Sequence, residues 1–201
     1  MLTASASSGG SFSPIPEGTY SAVCNMLVDL GMQRNETYNN VSRKVLISWQ
    51  LPDETIEIEG KDEPRVISKR YTLSLDDRSN LRADLAAWRG RDFTPEELQA
   101  FDLRNIVGAP CLINIIHKEN NGKKYANISS IMALPKGMPR PQMAGEPTVF
   151  DLDESPLSGI NNLPKWIAET IYKSETYKER VAAGVEPEFK ELDDWDGELP
   201  F

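Results

Sequence analysis

Seven cations and four aromatic rings carry the clearest chemistry in this 201-residue chain. Arg43, Lys44, Lys69, Arg70, Lys118, Lys123 and Lys124 are interleaved with Tyr38, Trp49, Tyr71 and Tyr125. Cations spaced along a surface can follow a phosphate backbone, and ring faces can stack on bases. Together they hold a single strand of nucleic acid without reading its sequence. Each ring also has a packing alternative. Trp49 alternates with Val45 and Ile47, and Tyr71 with Leu73 and Leu75, so either pair of positions could face a core. Tyr38 sits among Arg34, Asn35, Asn39 and Asn40, and Tyr125 follows Lys123 and Lys124; these two rings are expected at the surface.

The last nine residues offer a different chemistry: Asp193, Asp194, Trp195, Asp196, Gly197, Glu198, Leu199, Pro200 and Phe201. A C-terminal Phe presents a ring to an apolar pocket and a free carboxylate to an Arg or Lys. The preceding acids would steer it to basic partners. A merely solubilising tail would explain the charge but not Leu-Pro-Phe placed last. Docking of partner proteins is the expected role.

Catalysis finds little support. Cys24 and Cys111 lie in apolar stretches and read as small buried hydrophobes, and His117 is the only histidine. There is no phosphate loop, HExxH or GxSxG motif. Asp53, Glu54, Glu57 and Glu59 read as a solvated charge run in a loop. No catalytic residue, metal or cofactor is expected. No apolar run approaches the roughly 18 residues of a membrane span. Residues 1–15, rich in Ser, Gly and Ala, read as a flexible leader without the features of a signal peptide, which points to the cytoplasm.

The net charge of −9 looks wrong for a nucleic-acid ligand, yet it is unevenly spread. Residues 1–140 hold 17 Lys+Arg against 17 Asp+Glu, whereas residues 141–201 hold 5 against 14. A neutral body can still carry a basic groove.

Five segments read as strands: 18–30, 41–51, 66–75, 111–118 and 124–134. The last two are joined by Asn121-Gly122, whose tolerance of positive φ is a strong hairpin signal. After the third strand, Leu81, Leu85 and Trp88 recur at helical spacing behind Asp76 or Asp77 as cap, and Gly90 ends the run. Thr94-Pro95-Glu96-Glu97 opens a second short helix with a capping box. The order β-β-β-α-β-β is that of a mainly β, five-stranded OB-fold barrel with a helical insert between strands 3 and 4. The barrel is expected over residues 16–135. A Pro/Gly-rich linker over 136–162 is expected to stay out of the sheet, followed by an amphipathic helix over 163–183 and a disordered acidic tail over 184–201. The pattern leaves open whether that helix packs in cis or across a homodimer.

Several short motifs succeed one another in an order that resembles a family of single-stranded DNA-binding proteins of tailed bacteriophages. They are Pro16-Glu17-Gly18-Thr19-Tyr20, Val45-Leu46-Ile47-Ser48-Trp49-Gln50-Leu51-Pro52 and Ser68-Lys69-Arg70-Tyr71-Thr72-Leu73-Ser74-Leu75. Asp29-Leu30-Gly31, Leu85-Ala86-Ala87-Trp88-Arg89-Gly90-Arg91 and Asn105-Ile106-Val107-Gly108-Ala109-Pro110-Cys111 complete the series. The resemblance implies an OB-fold, a non-catalytic role in phage DNA replication or recombination, and single-stranded DNA as ligand. The last nine residues are similar to the acidic tip of bacterial single-stranded DNA-binding proteins, which implies recruitment of replication and recombination proteins. Two rival readings are an OB-fold interaction or inhibitor module whose acidic region mimics DNA, and a metal-dependent nuclease.

Overall fold

The computed structural model describes residues 13–58 and 60–184. In chain order these form β1 (Gly18–Asn35), β2 (Asn40–Ile58), β3 (Lys61–Thr72), α1 (Asn80–Arg89), α2 (Pro95–Gln99), β4 (Pro110–Asn120), β5 (Lys123–Ala133), β6 (Thr148–Phe150), α3 (Lys165–Tyr172) and α4 (Glu175–Ala182). The fold is mainly β. The six strands make one sheet in the order β3-β2-β1-β4-β5, with β6 paired to β1.

β1 is the strand on which the others assemble, and it is too long to keep one set of neighbours. Its start pairs with β4, from Gly18 opposite Ile115 to Val23 opposite Pro110. The remainder pairs with β2, from Val23 opposite Gln50 to Asn35 opposite Asn40. Where β4 departs, β6 takes the vacated edge, running parallel along Met26–Val28. Register shifts between Cys24 and Met26 and between Asp29 and Gly31 leave one extra residue in β1 at each place. Such bulges bend a strand and increase its twist, which is how one strand serves three partners.

Several local expectations match the structure. Asn121 and Gly122 have φ of 51° and 72°, as the tight β4–β5 turn requires. Gly90 caps α1 in the left-handed region, and Thr94 and Glu97 form the reciprocal capping box of α2. Others are corrected. Ser79, not Asp76 or Asp77, caps α1, because its hydroxyl accepts from Leu81 N at 3.2 Å; Asp77 pairs with Arg82 instead. β2 and β3 run on to Ile58 and Lys61, so Asp53, Glu54 and Glu57 lie on a long hairpin rather than in a loop.

The largest correction concerns 136–183. The segment read as a linker contributes β6 to the sheet, and the following residues build a second core. Phe150, Leu152, Leu157, Ile160, Ile167 and Ile171 pack on Val28, Leu30 and Leu46, on the face of β1–β2 opposite the main core. The single helix read over 163–183 is broken, because Ser174 stops α3 and caps α4 by accepting from Tyr177 N at 3.0 Å. The layer packs in cis. Burying these apolar side chains stabilises the arrangement by about 1.5–3 kcal/mol each, far more than helix propensity supplies.

The α1–β4 connection is clamped as well. The Arg89 guanidinium lies 4.4 Å from the Phe93 ring centre and 5.1 Å from that of Phe101, while Arg89 and Arg91 both pair with Glu97. Hydrogen bonding from Arg91, then from the Thr94 backbone, holds the Glu97 carboxyl down at about 2. A depressed carboxyl contributes stability that is present above its unfolded value near 4.5 and is lost as pH falls toward 2. Glu97→Gln is therefore expected to flatten the loss of stability over that window, read by urea denaturation at stepped pH; an unchanged profile would count against the clamp.

Gly31 supplies a second test. Its φ is 71°, and an added Cβ would lie 2.7 Å from Leu152 Cδ2 and 2.9 Å from Ser174 Oγ. Gly31→Ala should destabilise the protein by about 2–4 kcal/mol in urea melts, combining left-handed strain with overpacking against the C-terminal layer.

Candidate nucleic-acid interface

The ladder fixes where the cations go. Lys44 stands opposite Thr72 at the end of β3 and donates to its hydroxyl at 2.6 Å. Beyond Thr72 the chain turns tightly: Ser74 Oγ donates to Asp76 Oδ2 at 2.6 Å, and Ser79 Oγ donates to Ser74 O at 2.5 Å. That turn brings Arg78 back toward β3. The result is a groove of about 460 Å³ lined by Lys44, Lys69, Arg70, Thr72 and Arg78, with Asp76 as its one carboxylate. Arg70 and Arg78 are exposed, and among the described residues neither belongs to an ion pair. The first turn of α1 adds the partial positive charge of its N-terminus. Such an arrangement suits phosphate oxygens.

The eleven residues predicted to bind DNA divide into four groups. Lys44 and Arg70 meet in this groove. Tyr38 does not line the groove; it lies at the tip of the β1–β2 hairpin, beyond Asn40, and is 76% exposed. Arg43 and Lys69 are engaged within the fold. Arg43 pairs with Asp29 and Asp153. Lys69 Nζ lies 2.6 Å from Asp84 Oδ2 on α1.

The rings of Trp49 and Tyr71 are the third group, and here the expectation of stacking on bases is corrected. Trp49 is fully buried 5.7 Å from Trp88, and Tyr71 is buried beneath α1, donating to Asp84 Oδ2 at 2.7 Å. Burial, then the Asp84 carboxylate, push the Tyr71 hydroxyl well above its ordinary range, so it stays a neutral donor. Neither ring offers a free face. The packing alternative, core positions alternating along β2 and β3, is the one realised.

The fourth group, Lys118, Lys123, Lys124 and Tyr125, occupies the β4–β5 hairpin. Lys118 faces Tyr125, Glu119 faces Lys124 and Asn120 faces Lys123. Because Ile115 is opposite Gly18, this tip projects past the beginning of β1, whereas the β1–β2 hairpin forms at its end. The outer face of β2 between them is covered. Leu46 lies in the second core, and the Gln50 amide donates to Ala144 O at 3.2 Å and accepts from Ala144 N at 2.7 Å.

A second polar cluster lies at the far side of β1–β2. Carboxylate oxygens of Asp29, Asp151 and Asp153 come within 4.8 Å of one another. Arg43 bridges Asp29 and Asp153, and Arg104 pairs with Asp151 and Glu154, so each carboxylate has an arginine partner although the acids outnumber the arginines. Cys24 and Cys111 are buried, which pushes the Cys24 thiol up to about 12 and the Cys111 thiol higher still. His117 is structural too, its ring 2.8 Å from Ile15 O.

Arg78 was missed by sequence reading. It sits in Asp76-Asp77-Arg78, which reads as the approach to a helix, and only the turn at Ser74 reveals where it points. The predicted docking residues Asp193, Asp194, Trp195, Asp196, Leu199, Pro200 and Phe201 lie outside the described residues. The chain matches no protein-family model, and no curated protein is significantly similar to it. Among the described residues, no helix is long and apolar enough to cross a membrane.

The division between engaged and unpaired arginines is measurable. Arg43→Ala should cost about 2–4 kcal/mol of stability, because it strands the nearly buried Asp29 carboxylate. Arg70→Ala should change stability by less than about 0.5 kcal/mol, as an exposed residue without a partner. Equal losses in urea melts would remove the distinction.

Proposed function

We propose that this protein binds single-stranded DNA without sequence preference, through the groove formed by Lys44, Arg70 and Arg78. The observation that carries the reading is that two unpaired arginines and a lysine converge in one groove at the end of β3. The phosphates would lie along the groove, and the Tyr38 ring would stack on a base at its end. The proposed role is non-catalytic: holding and protecting single strands during phage DNA replication or recombination.

We read the sheet as an OB-type barrel left open between β3 and β5. The support is strand order, with β1 between β2 and β4, and the position of α1 between β3 and β4. The acidic C-terminal tip, in this reading, recruits replication and recombination proteins while the groove holds DNA. The cytoplasm of the host cell is the matching compartment.

A salt titration of labelled oligo-dT tests the groove. Each phosphate contact in a single strand contributes about 0.7 to the log–log slope, so the double variant Arg70→Ala/Arg78→Ala should flatten it by about 1.4. Tyr38→Ala should weaken binding by about 1–3 kcal/mol with little change in slope. Absence of binding by the wild type at low salt would reject the proposal.

A further inference from the structure

The hairpin cations do not join the groove, and a hollow elsewhere on the molecule has the complementary chemistry. The hollow, about 300 Å³, opens where β1 and β2 meet the α2–β4 connection and the end of β6. Its floor is apolar, made by Leu27, Val45 and Phe101 together with Leu73 and Val149. Leu73 and Val149 are 42% and 44% exposed, which is unusual for aliphatic side chains that lie in one depression. Its rim is acidic. Asp29, Asp102, Asp151, Asp153 and Glu154 outnumber Arg43 and Arg104, and Asp102, Asp153 and Glu154 are exposed.

Beyond the start of β1, away from the hollow, stands the β4–β5 hairpin. It carries Lys118, Lys123 and Lys124 against Glu119, around a Tyr125 ring that is 50% exposed. From Gly18, where β4 starts to project beyond β1, to Asp29 in the hollow is a path of about 35 Å along the strand at ordinary rise. One copy therefore cannot place its own hairpin in its own hollow. The same charges exclude two other occupants, since an acidic rim repels both DNA and the acidic C-terminal segment of a neighbouring chain.

We propose that the β4–β5 hairpin of one copy docks in the hollow of the next. The Tyr125 ring covers Leu73 and Val149, and Lys118, Lys123 and Lys124 meet Asp102, Asp153 and Glu154. The two surfaces differ and lie well apart, one beyond the start of β1 and the other beside its middle, so the contact is heterologous and head-to-tail. Such contacts build open rows unless rotation closes a ring. Leu73 directly follows Thr72 of the groove, so docking sets the hairpin of one copy beside the groove of the other. The inference does not depend on DNA binding, and its test needs no DNA.

Sedimentation velocity of the full chain at low salt, over a rising concentration series, is the measurement. The wild type should show a weight-average mass that climbs past the dimer and falls back when salt screens the rim. Lys123→Glu/Lys124→Glu, with a dead hairpin, and Val149→Lys, with a blocked hollow, should each stay monomeric. Their equimolar mixture should form dimers and nothing larger, because only one intact hairpin meets one intact hollow. That rescue also shows that both variants fold. A wild type that remains monomeric throughout would overturn the proposal. So would assembly that survives Val149→Lys, the result expected if a neighbour's acidic tail were binding the hairpin instead.

Discussion

One carboxylate holds the two halves of this structure together. Asp29 lies at the second bulge of β1, where the extra residue leaves backbone groups without ladder partners. Its oxygens accept from Gly31 N at 2.9 Å, from Arg43 Nε at 3.2 Å and from Leu152 N at 3.3 Å. The first closes the bulge, the second ties β1 to β2, and the third fixes the start of the C-terminal layer. A nearly buried carboxylate is tolerated only with such partners, and removing one strands the charge at a cost of several kcal/mol. The bulge, the ion pair and the layer therefore stand or fall together. Gly31 completes the constraint: a side chain there would occupy the space filled by Leu152 and Ser174.

What Asp29 fixes decides where a ligand can lie. With the C-terminal layer seated, Leu46, Ser48 and Gln50 on the outer face of β2 are buried. A strand of DNA cannot cross there without displacing a core of apolar side chains, each contributing about 1.5–3 kcal/mol. Arg43 is spent on Asp29 and Asp153. Among the described residues, Lys44, Arg70 and Arg78 lie beyond the edge of the covered face and belong to no ion pair. The fold thus limits the groove by covering its alternative.

Much of the local structure was legible because it depends on residues close in sequence. Asn121-Gly122, Gly90 and the Thr94–Glu97 box act within a few residues, and they end or begin elements where their chemistry predicts. Trp49 and Tyr71 show the limit. Alternation placed each on a face but could not say which face α1 covers, and Asp84, which receives Tyr71 and Lys69, is named only by the packing of α1. The same limit explains 136–162. Prolines and glycines there do break regular structure, yet three residues, Thr148–Phe150, pair with β1 because an edge is free beside Met26–Val28. No local pattern encodes an edge that exists only after β4 has diverged. Ser174 looked like one more position on a helical face, and its capping role depends on burial against Gly31.

Charge shows the same dependence on folding. By sequence the whole deficit of −9 falls after residue 140 and suggests a single acidic appendage. The structure divides it. Residues 141–184 are folded and hold seven acids against four bases, while 185–201 hold seven against one. Of the folded acids, Asp151, Asp153 and Glu154 are set by β6 around the hollow, beside Asp29. They gather negative charge beside the middle of β1, whereas the β4–β5 hairpin carries positive charge beyond its start. Total charge reports neither the acidic patch nor the basic one. Fields at the separations involved act over little more than a Debye length, about 8 Å in physiological salt, so the local sums govern contacts. A body with a net acidic balance can therefore carry a basic groove and, apart from it, two surface patches of opposite sign.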